Sequence, residues 1–97
     1  MKIIVKKVNE RPEVKEIKGE LHEMQQIVGG YIEEIKFYIV DNVLCVCDEE
    51  GKLKNKLINF WFEGDYVVGD VFFVAAGEEN FESLSDIQIE QIMSIFK

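Results

Sequence analysis

Threonine is missing from these 97 residues altogether, and arginine, histidine, proline and tryptophan occur once each. Each scarcity removes a class of chemistry. With Arg11 as the sole guanidinium, no pair of arginine forks is available to clamp a phosphate. His22 has no second histidine and no nearby cysteine in sequence, which is weak grounds for a metal centre. Beside the apolar stripe of a predicted helix, it reads as an exposed residue. The serines are Ser83, Ser85 and Ser94, and none has the surroundings of a nucleophile elbow. A lone Pro12 and the absence of small polar runs leave no linker. No apolar run approaches the roughly 20 residues that span a bilayer, and Met1 to Val8 is too short and too charged for a secretory signal. The expectation is a soluble cytoplasmic protein with no membrane association.

Cysteine is also scarce. Cys45 and Cys47 lie two apart in an apolar run, so on a strand they share a face. Such neighbours do not staple a small secreted fold. Zinc sites space paired cysteines more widely and need two further ligands. Reduced thiols packed in a core are expected.

Apolar residues make up 47% and charged residues 31%, an ordinary balance for a folded chain. The length suits one domain over residues 1–97. Charge is uneven along it. Residues 1–18 carry six basic and three acidic side chains; residues 19–97 carry five basic and sixteen acidic ones, which gives the net −8. An acidic surface repels phosphate, so direct nucleic-acid binding is not expected.

The local patterns predict an α+β fold. Lys2 to Val8 reads as a strand, Asn9 to Pro12 as a turn, and Glu13 to Lys18 as the returning strand. Leu21, Met24, Ile27 and Val28 fall at helical spacing, so a helix is expected over Glu20 to Val28, ended by Gly29-Gly30. Tyr31 to Val40 reads as a strand with Tyr31, Ile35, Phe37 and Ile39 on one side. Asp41-Asn42 turns into Val43 to Cys47, apolar enough for a strand buried on both faces. Asp48 to Gly51 reads as a solvated turn, and Lys52 to Lys56 carries no clear pattern. Leu57 to Phe62 is strand-like, Glu63 to Asp65 a turn, and Tyr66 to Ala76 β-rich with a bulge or bend at Gly69. Ser85 and Gln88 form a capping-box pattern, with Leu84 and Ile89 as its staple. They begin a helix whose stripe is Ile89, Ile92, Met93 and Phe96. The expected architecture is an antiparallel or mixed sheet of four to six strands with two helices packed on it.

These segments, in this order, resemble a family of small bacterial, phage and mobile-element proteins known as a domain of unknown function, number 3846. The resemblance rests on Leu21-x-x-Met24-Gln25-x-x-Val28-Gly29-Gly30-Tyr31-Ile32-Glu33 and on an apolar strand ending in Asp48-Glu49-Glu50-Gly51-Lys52-Leu53. It continues with Asn55-Lys56, Gly69-x-x-Phe72-Phe73-Val74, and Phe81-x-Ser83-Leu84-Ser85-Asp86 leading to Phe96. It covers nearly the whole chain. Members often have proline before the Asn55 position and threonine after the Gly69 position, where this chain has Leu53-Lys54 and Asp70. The resemblance implies no reaction, cofactor or catalytic residue.

No catalytic, cofactor-binding or metal-binding residue is therefore assigned. Glu33-Glu34, Asp48-Glu49-Glu50, Asp65, Asp70 and Glu78-Glu79 would need to converge to hold a divalent cation, and the Asp48–Glu50 run lacks the spacing of a calcium loop. The residues singled out are Phe60, Trp61 and Phe62. On a strand, Phe60 and Phe62 share one face and Trp61 takes the other. Trp61 is then either core or an anchor for a partner. The function expected is a non-catalytic binding or regulatory protein acting through a protein partner or self-association. The alternatives are an acid-residue enzyme, with or without a metal ion, and a protein with a small-ligand pocket. Clustered carboxylates would favour the enzyme; an exposed apolar patch with dispersed acids would favour the binder.

Overall fold

The computed structural model describes residues 1–97. Seven strands and two helices follow in the order β1 (Lys2–Lys6), β2 (Glu13–Glu16), α1 (Leu21–Val28), β3 (Ile32–Lys36), β4 (Val43–Asp48), β5 (Ile58–Phe62), β6 (Asp65–Val68), β7 (Val71–Ala75) and α2 (Asp86–Ile95). Five of them form an antiparallel sheet ordered β2-β1-β7-β4-β3, and β5 and β6 form a separate two-stranded sheet. The fold is α+β, with the main sheet inside the expected range of strands. The separate hairpin departs from the single sheet the sequence suggested.

Alternation along the strands divides the core in two. Ile4, Cys45, Cys47, Val71 and Phe73 face one way, where Ile92 of α2 and the partly buried Phe60, Phe62 and Phe96 cover them. Ile3, Val5, Val46, Phe72 and Val74 face the other way, where Met24 and Val28 of α1 pack. The two helices thus sit on opposite faces. β4 and β7 are buried on both, as an apolar run without alternation requires.

The capping box is present: Ser85 Oγ accepts from Gln88 N–H at 3.1 Å, and Ser85 N–H donates to Gln88 Oε1 at 2.8 Å. Gly69, at φ 73°, is the bend where the chain leaves the hairpin β5–β6 and enters the main sheet. Three expectations are corrected. The strand after Gly30 ends at Lys36, because Val40 N–H turns back to the Phe37 carbonyl at 3.1 Å, and Ile39 is left exposed in that turn. Leu21 is exposed, since only Met24 and Val28 of the predicted stripe reach the sheet fully. Met93 is 36% exposed, and Ile92 is the one fully buried residue of α2.

Gly29 closes α1 in the left-handed conformation, φ 79°, and its N–H and that of Gly30 both reach the Gln25 carbonyl. A Cβ on Gly29 would also lie 3.0 Å from Lys56 Nζ. Gly29→Ala should therefore destabilise by about 1 kcal/mol or somewhat more. Unchanged urea midpoints would count against this role.

Candidate functional site

The residues without a clear pattern, Lys52 to Lys56, bring together the far-apart segments that carry the family resemblance. Asp48 ends β4 with its side chain 1% exposed, where the sequence suggested a solvated turn. Burial alone would raise the pKa of this carboxyl. Hydrogen bonds from Lys54 and Lys56, and one from the Glu50 N–H, outweigh that and lower it from 3.8 to about 2. Lys54 Nζ lies 2.8 Å and Lys56 Nζ 2.7 Å from Asp48 Oδ2, while Glu50 N–H donates to Oδ1 at 2.9 Å.

The same two lysines serve the end of α1, which has no basic residue in its own last turn. Lys56 Nζ donates to the Val28 carbonyl at 2.7 Å and Lys54 Nζ to the Gly29 carbonyl at 3.2 Å. Cations there satisfy otherwise open carbonyls and the negative end of the helix dipole. Glycine is required around this knot: a Cβ on Gly30 would fall 2.6 Å from Asp48 Oδ1, and one on Gly69 would fall 2.7 Å from the Lys56 stem. Both positions that depart from the family pattern make contacts. Lys54 is one arm of the knot, and Asp70 Oδ1 accepts the Val8 N–H at 3.0 Å. Two ammonium groups that donate both to the Asp48 carboxylate and to the carbonyls at the end of α1 form a brace between α1 and the sheet.

The hairpin β5–β6 carries the residues singled out from the sequence. Glu63 and Gly64, at φ 55° and 73°, make its two-residue turn with both central residues left-handed, the turn type that suits a twisted hairpin. Phe60 and Phe62 turn inward onto Phe37, with ring centroids 6.3 and 5.0 Å away. Trp61 turns outward and is 70% exposed. It packs edge-on against Tyr66, its partner across the strands, at 5.3 Å. Lys52 Nζ lies 4.4 Å from the Tyr66 ring centroid and pairs with Asp65 at 3.0 Å. A register shift between Ile58 and Phe60 brings the half-exposed Ile58 onto the outer face with Trp61. Strand alternation puts Phe60 and Phe62 on the face opposite Trp61, but does not say which face turns inward. The bulge and the Tyr66–Lys52 support had no signal in the sequence.

Asn59, at the bulge, ties the hairpin to the main sheet. Its Nδ2 donates to the Lys6 and Gly69 carbonyls, both at 2.8 Å, and its Oδ1 accepts from Lys6 Nζ at 3.0 Å. Burial lowers the pKa of this lysine, and Asp70 and Glu10 partly offset it.

Between the hairpin and the main sheet runs a cleft of ≈ 580 Å³. Ile35, Phe62, Val67 and Val68 give it apolar walls, and Glu33, Glu49 and Glu63 line it without an ion pair. Cys47 borders it, but burial, then Glu33 and Asp48, push its thiol up to about 11. Burial likewise raises Cys45. Both are free, buried thiols that remain protonated at neutral pH, so neither is poised as a nucleophile. His22 is exposed on α1. No three or more His, Cys, Asp or Glu side chains come together to hold a metal ion, and no helix is long and apolar enough to cross a membrane.

A family model described as "Domain of unknown function (DUF3846)" matches residues 1–97. No curated protein and no solved structure matches the chain.

Proposed function

The chain belongs to the DUF3846 family, and from that premise we propose that it is a non-catalytic binding protein whose aromatic hairpin engages a protein partner. The observation that carries this reading is Trp61. It is the one tryptophan of the chain, it is 70% exposed, and Tyr66 holds it from behind. A large aromatic left in water but fixed in orientation loses little entropy on docking, and tryptophan is enriched among residues that dominate binding energy. Phe60 and Phe62 contribute indirectly, by seating the strand that presents it.

The enzyme reading gains less support. The buried carboxylate, Asp48, is held by Lys54 and Lys56, and Asp65 is held by Lys52. Acids engaged in this way are not poised to exchange protons with a substrate. The cleft beside β6 gives the binding reading a second surface, developed below for an extended segment of the partner.

Trp61→Ala tests the proposal. Self-association measured by light scattering, or capture of a partner from lysate of the source cells, should weaken by about 2 kcal/mol or more, roughly thirtyfold. The folding stability of the variant should fall by less than about 1 kcal/mol, because so exposed a side chain leaves little cavity. Partner capture and association equal to those of the original chain, or a loss of about 3 kcal/mol or more in folding stability, would refute this role.

A further inference from the structure

We propose that the cleft between β3 and β6 takes an extended, basic segment of a partner protein, which pairs with the free edge of β3 as a sixth strand of the main sheet. This rests on the partner-binding reading above and names the partner's chemistry. β3 is the last strand on its side of the sheet. The phase of its ladder follows from two hydrogen bonds. Glu49 N–H donates to the Tyr31 carbonyl at 2.8 Å, and Phe37 N–H to the Val43 carbonyl at 3.0 Å. With the register Glu33↔Cys47 and Ile35↔Cys45, the odd-numbered residues turn their backbone groups to β4. The N–H and C=O groups of Ile32, Glu34 and Lys36 therefore point away from the sheet, where another strand can pair with them.

The cleft borders this strand through Glu33, Ile35 and Lys36. All four residues of β6, Asp65 to Val68, line it, with Asp65 next to the hairpin turn, while Phe62 is the only lining residue from β5. An added strand would send alternate side chains onto the apolar surface of Ile35, Phe62 and Val67. The five residues of β3 offer about 17 Å of edge at roughly 3.3 Å per residue.

Charge selects the occupant. Glu33, Glu49 and Glu63 are unpaired along the cleft, and Lys36 is its one unpaired cation. Lysine or arginine side chains fit such a place, laying apolar stems on the walls and charged heads at the acidic rim. A second copy of this chain would bring a further net −8 to the same edge, which disfavours self-pairing there.

A short blocked peptide alternating lysine and valine, with its glutamate–valine counterpart as control, tests the proposal. Bound lysine peptide should slow hydrogen exchange at the amides of Ile32, Glu34 and Lys36 about tenfold or more, while those of Glu33 and Ile35, already bonded to β4, change little. Glu34→Pro removes one outward N–H without touching the β4 ladder, and Glu63→Lys reverses a rim charge while leaving the edge intact. Each should weaken peptide binding about tenfold, and Glu63→Lys keeps the test decisive if Glu34→Pro does not fold. Equal binding of the glutamate peptide, or protection missing from those three amides, overturns the proposal. So does the same protection appearing without peptide as protein concentration rises, which would mean β3 pairs with β3 of a second copy. Loss of partner capture in Trp61→Ala with peptide binding retained leaves the cleft standing; peptide binding lost in Glu63→Lys with partner capture unchanged leaves only the Trp61 reading.

Discussion

Phe37→Ala is expected to cost about 3–5 kcal/mol of folding stability, the range for removing a fully enclosed phenyl ring. Phe37 is 1% exposed and sits where four parts of the chain meet. Its ring contacts Phe60 and Phe62 of the hairpin, Phe73 of β7 and Phe96 after α2, at centroid distances of 6.3, 5.0, 4.9 and 6.2 Å. Such offset and edge-on pairs contribute beyond their buried area. The void would be shared by the hairpin and α2, so local effects should exceed the global one in β5 and β6. Their amides should exchange faster than those of β4 and β7, even under conditions where the variant stays folded. Phe37→Leu, which refills much of the space, should recover a good part of the loss. A loss below about 1.5 kcal/mol for the alanine variant would show that the aromatic cluster collapses freely around the gap and does not anchor the hairpin.

Asp48→Asn should lower stability at neutral pH by roughly 2–3 kcal/mol. The amide cannot supply the charge that Lys54 and Lys56 face, and the two ammonium groups would be left sharing one neutral acceptor. Their partial exposure, 41% and 23%, lets them turn toward water and keeps the cost below that of an isolated buried charge. The pH dependence has a definite sign. The folded-state pKa is about 2 against an ordinary 3.8, so the folded protein holds the ionised form more strongly than the unfolded chain does. The resulting stabilisation, roughly 2 kcal/mol at about 1.4 kcal/mol per pKa unit, is fully present above about pH 4. It is lost as pH falls from there through about 2. Urea unfolding at pH 7 and near pH 2.5 should therefore show a wide gap between the original chain and Asp48→Asn at the first pH and a narrow one at the second. A gap that stayed constant would mean the carboxylate contributes through shape alone.

The elements legible in the sequence are those whose causes lie within a few residues. Ser85 and Gln88 satisfy each other across one turn, so their spacing was enough to place the start of α2. Gly29 ends α1 for a reason internal to its own backbone. Alternation put Phe60 and Phe62 opposite Trp61, but which side faced the sheet depended on Phe37 and Phe96, far away in sequence. Asp48 illustrates the limit. Beside Glu49, Glu50 and Gly51 it has the composition of a solvated turn, and it is buried only because Lys54 and Lys56 fold back over it toward the last carbonyls of α1. Nothing in the spacing of those lysines marks carbonyls 25 and 28 residues earlier as their acceptors. Leu21 and Ile39 fail in the opposite way, as apolar residues in the right phase that the ends of their elements carry beyond the core.

The strand order has a consequence for how the protein comes to be made. β1 and β2 form one local hairpin, β3 and β4 another, and both precede β7, which fits between β1 and β4. During synthesis, the two early hairpins have no common partner until residues 71–75 leave the ribosome. Until then each presents an open edge and an uncovered apolar face, and α1 has only part of its packing surface. Closing the sheet joins Ile4 to Phe73, a long-range contact of the kind that slows folding. Nascent chains stalled before β7 should therefore be captured by chaperones or aggregate, and insertion of this one late strand would convert two sticky hairpins into a sheet.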